Sequence, residues 1–201
     1  SGGNKEPNQE SGTESGKDSD PHPGTETDTL RETDAGQQGF RFTYEETEGG
    51  LRITGISGTA ETITIPAEID GKPVTEIADR AFYSCSVITS VTVGANVRSI
   101  GDSAFMNCSA LARVTLPEGL TSIGESAFQS CRALTEINIP GGVAVLSPYT
   151  FRYCRGLAAV TLSEGLTSIG EAAFNDCELL AAVSIPDTVT ALGDEAFTLG
   201  E

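Results

Sequence analysis

The feature that most constrains this 201-residue sequence is a phenylalanine that recurs every 23 residues. The series runs from the middle of the chain to its end, at Phe82, Phe105, Phe128, Phe151, Phe174 and Phe197. A cysteine keeps the same step three residues later, at Cys85, Cys108, Cys131, Cys154 and Cys177. Fixed self-similarity of this length is the signature of a solenoid, in which each repeat forms one coil that stacks on the next. The repeat therefore predicts the architecture, and it makes a catalytic role less expected.

Each 23-residue unit combines two local patterns. Residues 125–131 carry Ala, Phe and Cys at relative positions i, i+1 and i+4, which predicts a short helical turn with one apolar face. Residues 134–139 read Leu-x-x-Ile-x-Ile, the period-two alternation of a strand with one buried side. Since both patterns recur in the neighbouring units, we predict an α/β solenoid of 23-residue coils. Each coil would give a short strand to a parallel sheet and a short helical turn to the other side.

The chain divides into three parts. Residues 1–39 contain Leu30 as their only large aliphatic residue and no aromatic residue, so we predict a disordered, acidic, Gly/Ser-rich spacer. Residues 40–73 alternate apolar and polar residues on both sides of a Glu-Gly-Gly turn, which predicts a β-hairpin that caps an atypical first repeat. Residues 74–201 form the solenoid.

The net charge of −17 at pH 7 narrows the range of partners. Because nucleic acid and anionic membranes are also negatively charged, we do not expect so acidic a protein to bind them. No apolar run approaches the ~20 residues that a membrane helix needs. The sequence shows no signal peptide, so we expect the chain as given to be mature, intracellular or trimmed.

The repeat resembles a known family. The pattern I-G-x-x-A-F-x-x-C-x-x-L-x-x-V-x-L-P-x-x-L-x-x, which residues 100–122 and 123–145 reproduce almost whole, resembles the BspA-like leucine-rich repeats. The resemblance implies a right-handed leucine-rich-repeat superhelix in a bacterial cell-surface or secreted protein. Some members bind host extracellular-matrix proteins, and a lipid anchor would lie in a segment outside this chain. The family supplies no catalytic motif and no cofactor.

The cysteines and the histidine bear on catalysis and metal binding. Cysteine at one buried position per coil favours a ladder of small apolar side chains over disulfides, metal ligands or a nucleophile. The one histidine, His22, lies in the predicted spacer. The folded part therefore lacks the residues for Ser/His/Asp catalysis, Cys/His catalysis or His-ligated zinc.

An acidic column precedes the phenylalanines, at Asp79, Asp102, Glu125, Glu171 and Asp194. Neighbouring carboxylates about 5 Å apart would suit a retaining glycosidase, and carboxylates also bind calcium. The simpler interpretation is that each carboxylate accepts free N–H groups at the start of its own helical turn. We therefore predict neither metal nor catalysis there, and a carboxylate-dependent hydrolase is the least favoured function.

Two surfaces are candidate binding sites. The first is the outward column of the predicted strands, which is the usual binding face of leucine-rich repeats: Thr64, Thr92, Thr115, Asn138, Thr161 and Ser184. Thr also simply suits an exposed strand.

The second candidate is one irregular coil, in which Leu-Ser-Pro replaces Ile-Gly-acid and Tyr149, Arg152, Tyr153 and Arg155 replace small or polar residues. Arg132 precedes Arg155 by one period, so we expect the two to stack. Tyr and Arg are enriched at interface hot spots, although drift in a single repeat would also explain them.

Together these features predict a non-catalytic interaction or adhesion module that binds a protein partner, with host extracellular matrix as one class. A surface glycan-binding component of a bacterial nutrient system is the alternative. We predict no cofactor, no metal, no nucleic-acid partner and no transmembrane segment, and the sequence does not indicate the oligomeric state.

Overall fold

Equivalent residues of successive coils pair with one another, so most strands are short and parallel. The structure is a computed structural model that describes residues 31–34 and 39–198. The strands in these ranges are β1 (Arg31–Asp34), β2 (Phe40–Thr47), β3 (Gly50–Gly58), β4 (Thr62–Thr64), β5 (Glu68–Ile69), β6 (Lys72–Ile77), β7 (Ser90–Thr92), β8 (Ser99–Ile100), β9 (Arg113–Thr115), β10 (Ser122–Ile123), β11 (Glu136–Ile139), β12 (Val145–Leu146), β13 (Ala159–Leu162), β14 (Ser168–Ile169) and β15 (Ala191–Leu192).

Each coil adds one strand to each of two parallel ladders, except the last described coil, which adds β15 to the second ladder only. In the first ladder β4, β7 and β9 pair in order, with Ile63 opposite Val91 and Val91 opposite Val114. In the second ladder β6, β8 and β10 pair in order, and β12, β14 and β15 continue it. This arrangement confirms the predicted solenoid and the strand positions within its repeat. The chain is a β-solenoid of about six turns.

A hairpin covers the first coil, as the alternation in residues 40–73 predicts. β2 and β3 pair antiparallel, and β3 pairs in parallel with β6, so the hairpin extends the second ladder by one strand. Phe42, Leu51 and Ile53 are fully buried between the hairpin and the coil. The hairpin thus shares the core of the solenoid, and its role as a cap stays a prediction.

Two local features were not predicted. The segment just before Val74 forms a second, small hairpin. In it β5 pairs antiparallel with β6 around a turn at Asp70 and Gly71, both of which have positive φ. β1 pairs antiparallel with β2, although its residues fall within the segment 1–39 that we predicted to be disordered. Residues 1–30 and 35–38 of that segment lie outside the described residues.

The prediction of helical turns is wrong. The segments that contain the phenylalanines are consecutive turns, and the described residues contain no helix. Alternate residues donate hydrogen bonds in different directions: Tyr83 N–H bonds to Arg80 C=O in its own coil, whereas Phe82 N–H bonds to Ala104 C=O in the next coil at 2.8 Å. A helix would direct all its N–H groups along its own axis. The segments therefore form a third column of bonds between coils.

The core runs the length of the solenoid as stacked columns of identical residues. The six phenylalanine rings stack nearly parallel, with successive centroids 4.9–5.5 Å apart. Phe105 and Phe128 are fully buried, with a neighbouring ring on each side. No single coil encloses its phenylalanine, so stability depends on contacts between neighbouring coils.

Candidate functional site

The predicted strand-face residues are all exposed. Thr64, Thr92, Thr115, Asn138 and Thr161 lie in the first-ladder strands β4, β7, β9, β11 and β13 and point to solvent, whereas the alternate residues of those strands point towards the core. Ser184 is exposed too, although its segment in the last described coil is not a strand. The structure thus gives a column of small polar side chains, and its use for binding stays a prediction.

The irregular coil gathers its aromatic and basic residues on the turn side. The Arg152 guanidinium lies 4.6 Å from the ring centroid of Tyr153 and 5.5 Å from that of Tyr149. Its Nε donates to Asn175 Oδ1 in the next coil at 3.2 Å. Cation–π contacts and this hydrogen bond fix the position of Arg152 before any partner binds.

The other predicted members of this cluster have partners on the following coil. The Tyr149 hydroxyl donates to a Glu171 carboxylate oxygen at 2.5 Å, and this bond raises the pKa of Tyr149 above its usual value. Arg155 forms an exposed ion pair with Glu178 at 3.2 Å. Arg132 lies on the preceding coil in register with Arg155, since Arg132 C=O accepts the Gly156 N–H, and the stacking of the two arginines stays a prediction.

The backbone of this cluster is strained. Tyr149 and Tyr153 have φ of 59° and 62°, in the left-handed region. The same conformation recurs at the equivalent positions of the other coils. The residues there are mostly small, at Ser84, Ser103, Asn107, Ser126, Ser130, Ala172 and Asp176, but Arg80 and Glu195 are large. A bulky side chain is uncommon there and costs of order 1 kcal/mol or more. The contacts of the two tyrosines with Arg152 and Glu171 offset part of this cost.

Both ladders are interrupted at one boundary, between the coil of β9 and β10 and the coil of β11 and β12. Within residues 39–198, β9 does not pair with β11, and β10 does not pair with β12. In other coils Val93 N–H bonds to Thr115 C=O at 2.9 Å, but the corresponding bond from Leu116 N–H to Asn138 C=O is not formed. We call the facing edges of these four strands the seam.

The seam opens on the strand side only. On the turn side of the same boundary, Phe128 N–H still bonds to Thr150 C=O at 2.9 Å and Ser130 N–H to Arg152 C=O at 2.8 Å. The rings of Phe128 and Phe151 remain stacked at 5.5 Å. On the strand side, one backbone bond remains between the two coils just before β9 and β11 begin, from Thr135 N–H to Ala112 C=O at 3.3 Å. The two coils therefore stay joined along their turns and at this bond, and the strand pairing is lost only beyond it.

The opening coincides with a substitution in a column of glycines. A column of glycines follows the second-ladder strands at Gly101, Gly124, Gly170 and Gly193, and Ser147 stands in that column at the seam. A Cβ on any of these glycines would lie 2.3–2.6 Å from an atom of the preceding coil, closer than non-bonded atoms pack. Ser147 carries such a Cβ, so its coil cannot approach as closely.

The hydrogen bonds of Ser147 agree with this account. Gly124 N–H bonds to Ile100 C=O at 2.8 Å and Gly170 N–H to Leu146 C=O at 2.8 Å. At the seam, the Ser147 hydroxyl rather than its N–H donates to Ile123 C=O, at 2.6 Å. The next residue, Pro148, has no N–H to offer the Glu125 carboxylate.

The seam encloses a slot of about 360 Å³ on the strand face. Backbone and side chains from both unpaired strands line it: Val114, Thr115, Leu116, Glu118, Glu136, Ile137, Asn138, Ile139, Pro140 and Ser163. Two of the predicted binding residues, Thr115 and Asn138, thus lie together at its edge. The substitution of Ser for Gly is visible in the sequence as part of Leu-Ser-Pro, but its coincidence with unpaired strands was not predicted.

The cysteines form the predicted ladder and are free thiols. The thiols of Cys108, Cys131, Cys154 and Cys177 each donate to the carbonyl of the phenylalanine 26 residues earlier, at 3.1–3.2 Å. Burial raises the pKa of Cys108 and of Cys177 to about 12. Cys85 is only half-buried, because no regular coil precedes it.

The acidic column joins coils rather than capping turns of its own coil. Asp79 Oδ1 accepts the Asp102 N–H, and Asp102 Oδ1 accepts the Glu125 N–H, each at 2.8 Å. Two members of the column therefore have structural partners. Among residues 31–34 and 39–198 no group of three or more His, Cys, Asp or Glu is placed to hold a metal ion.

Comparison with known proteins identifies the repeat. The sequence profile described as BspA type leucine rich repeat region matches residues 75–199 in six copies. The chain belongs to the BspA-type leucine-rich repeat family. A search of curated proteins gave no match.

Solved structures of similar proteins agree with this assignment. A Treponema pallidum leucine-rich repeat protein, TpLRR, is 31% identical with a TM-score of 0.61, over 76% of this chain and 83% of that one. A leucine-rich cell surface protein from Faecalibacterium prausnitzii is 30% identical with a TM-score of 0.57, over 85% of this chain and 52% of that one. The pneumococcal vaccine antigen PcpA, at 20% identity and a TM-score of 0.63, shares the fold.

The chain spans about half of the F. prausnitzii protein. In the part of the chain that the structure describes, no helix is long and apolar enough to cross a membrane.

Proposed function

We propose that this chain is a non-catalytic protein-binding module on the surface of a bacterial cell, and that the cluster around Arg152 contacts the partner. Membership of a leucine-rich repeat family supports protein binding. The cell-surface description of the F. prausnitzii relative supports the location.

The observation that carries the proposal is the strained placement of Tyr149 and Tyr153 on either side of Arg152. Strained residues that persist in a structure point to a functional constraint. Tyr and Arg are also the residues most enriched at interface hot spots. Because Arg152 is already held by Asn175, little rotamer entropy is lost when a partner packs on it.

The proposal includes several finer points that the resemblance implies. The superhelix is right-handed, the module serves adhesion, and host extracellular-matrix proteins are among its partners. A lipid anchor outside this chain would tether it, with residues 1–39 as a spacer and residues 40–73 as the cap. A surface glycan is the alternative ligand.

The strand face is the second candidate surface. Its exposed column of Thr and Asn carries little charge, in contrast to the rest of this acidic chain. The slot between β9 and β11 supports the same face, because it adds a concave site to an otherwise regular column.

Binding to arrays of purified extracellular-matrix proteins and of glycans tests the proposal. Tyr149→Ser with Tyr153→Asn installs the residue types that other coils use, so it should abolish binding without loss of stability. Tyr83→Ala is the matched control, since Tyr83 is also exposed and packs on an arginine, Arg80, at 4.4 Å.

The strand face is tested by Thr115→Glu combined with Asn138→Glu and Thr161→Glu. Loss of binding in this variant alone would move the contact from the Arg152 cluster to the strand face. Hydrolysis of a glycan or peptide by the wild type, abolished by Glu125→Gln, would overturn the non-catalytic function itself.

A further inference from the structure

The turn side of three consecutive coils contains no acidic residue, although the chain as a whole has 29 Asp and Glu against 12 Lys and Arg. Neither Asp nor Glu occurs in the turn segments 103–110, 126–133 and 149–156. The second of these segments contains Arg132, and the third contains Arg152 and Arg155. We call these three side chains the arginine group. The turn side here therefore differs in charge from the rest of the protein.

Backbone hydrogen bonds place the arginine group on adjoining coils. Ser130 N–H donates to Arg152 C=O at 2.8 Å, and Gly156 N–H donates to Arg132 C=O at 3.0 Å. Arg155 lies three residues after Arg152 in the same turn. These two coils stack with their phenylalanine rings 5.5 Å apart, so one extended segment of a partner can reach both of them.

Two members of the arginine group keep donors that no acceptor uses. Within residues 31–34 and 39–198, the exposed Arg132 guanidinium forms neither an ion pair nor a hydrogen bond. Arg152 uses Nε for Asn175 Oδ1 and one face for the Tyr153 ring. Its two terminal nitrogens have no acceptor in the same part of the chain. The fork of donors at the end of Arg152 is therefore oriented but unused.

The carboxylates of the following coil do not pair with Arg132 or Arg152. Glu171 accepts the Tyr149 hydroxyl, and Glu178 forms its exposed ion pair with Arg155. Exposed ion pairs of this kind contribute little and exchange readily, so Arg155 is the third and weakest donor of the group.

We propose that the arginine group binds an acidic segment of the partner protein. One carboxylate of that segment accepts both terminal nitrogens of Arg152, and a second carboxylate pairs with Arg132. The inference rests on the proposed function and deepens it, because it gives the chemistry of the partner that meets the Arg152 cluster. Two parallel bonds from one guanidinium to one carboxylate are the strong form of this contact. Since Arg152 is already oriented, little of its rotamer entropy is lost.

The acidic column favours a protein segment over a sulfated glycan. Asp102, Glu125 and Glu171 lie beside the turns of the same coils. A sulfated glycan carries negative charge along its whole length, so some of this charge would face these carboxylates. The net charge of −17 adds to the repulsion. A protein segment can carry carboxylates at two positions and neutral residues elsewhere, so it can meet the arginines without facing the column.

NMR titration of the ¹⁵N-labelled protein with the peptide acetyl-Ser-Glu-Ser-Glu-Ser-amide tests the proposal. The two glutamates of this peptide point to the same side when it is extended. We expect saturable shifts of the Arg152 Nε–H signal and of the Ser130 and Gly156 amide signals at roughly millimolar peptide. The same peptide with glutamine in place of glutamate should bind at least about tenfold more weakly.

Variants separate the arginine group from general electrostatics. Arg132→Gln with Arg152→Gln should weaken binding of the acidic peptide about tenfold or more. Arg132→Lys with Arg152→Lys keeps the charge but loses the planar fork, so binding should fall to an intermediate level. Arg98→Gln with Arg113→Gln removes the same charge at exposed positions on the strand side, and it should leave binding unchanged.

Four results would overturn the inference. They are the absence of saturable shifts in the wild type, equal binding of the glutamine peptide, equal loss in the Arg98/Arg113 control, and tighter binding of a heparin dodecasaccharide than of the acidic peptide. A matrix protein whose binding is lost in the Tyr149/Tyr153 variant but is not inhibited by the acidic peptide would also overturn it, while the proposed function would stand. A matrix protein bound equally by the Tyr149/Tyr153 variant would instead overturn the proposed function.

Discussion

Gly124→Ser should open a second seam in a coil boundary that is now closed. A Cβ at position 124 would lie 2.5 Å from Asp102 Oδ1 and 2.6 Å from Asp102 N. Both atoms belong to a hydrogen-bonded part of the preceding coil, where the Asp102 carboxylate accepts the Glu125 N–H. The coil of residue 124 must therefore move away, as the coil of Ser147 does.

The expected loss of stability follows from the bonds at this boundary. Opening it breaks three backbone bonds, from Thr121 N–H and Ser122 N–H to Arg98 C=O and from Gly124 N–H to Ile100 C=O, each worth about 0.5–1.5 kcal/mol. A hydroxyl bond like that of Ser147 and the lower entropy of the unfolded chain offset part of this, about 1–2 kcal/mol. The free energy of unfolding should therefore fall by about 1–3 kcal/mol.

Urea denaturation and amide hydrogen exchange measure the effect. Protection of residue 124 should fall in the variant, while protection of Phe105 on the turn side should remain. Gly141→Ser is the matched control, because a Cβ there would meet only Ser163 Cβ at 3.8 Å and fits without strain. If Gly124→Ser were as stable as Gly141→Ser and kept its amide protection, the steric account of the seam would be refuted.

Three further perturbations test the fold. Phe128→Ala, which interrupts the ring stack, should cost about 3–5 kcal/mol, whereas exposed Thr115→Ala should cost under about 0.5 kcal/mol by denaturation. The half-buried Cys85 should react with a thiol reagent before the buried Cys108. The Cys108 pKa of about 12 in the folded protein lies above its value near 9 in the unfolded chain, so the unfolded chain loses this proton first. The contribution of Cys108 to the free energy of unfolding is therefore present below pH 9 and should be lost as the pH rises towards 12. Deletion of residues 1–58 should cause aggregation by uncovering the first coil, and a deletion variant as stable as the full chain would contradict the capping role of the hairpin.

The strand positions and the core were predictable because the same local sequence pattern recurs in every coil. One Leu-x-x-Ile-x-Ile segment fits a strand or part of a helix, but the same pattern at a fixed interval fits only stacked strands. The hairpin was predictable for a different reason, since its alternation around a Glu-Gly-Gly turn is local. The exposure of Thr115 and Asn138 followed directly from the strand register.

The turns were not predictable from spacing alone. The Ala, Phe and Cys side chains at positions i, i+1 and i+4 lie on one side of the chain in an α-helix. They also lie on one side in the observed turns, so their spacing does not distinguish the two structures. What distinguishes them is the partner of each N–H, and for Phe82 that partner is Ala104 in the next coil. The same limitation applies to the acidic column, whose carboxylates bind N–H groups 23 residues later.

The seam and the Arg152 cluster belong to one coil, and this coincidence bears on whether the coil is functional. Ser147 replaces a glycine that lets coils approach, and Tyr149 and Tyr153 occupy backbone positions that suit small residues. Selection for stability would remove all three, since in a solenoid each irregular coil weakens its interfaces with its neighbours. Each change also places chemistry at the surface, a slot between unpaired strands on the strand side and an ordered arginine on the turn side. A requirement for partner binding accounts for the slot and for the Arg152 cluster. Replacement of Ser147, Tyr149 and Tyr153 by the residues of the regular coils should therefore raise the free energy of unfolding and abolish partner binding.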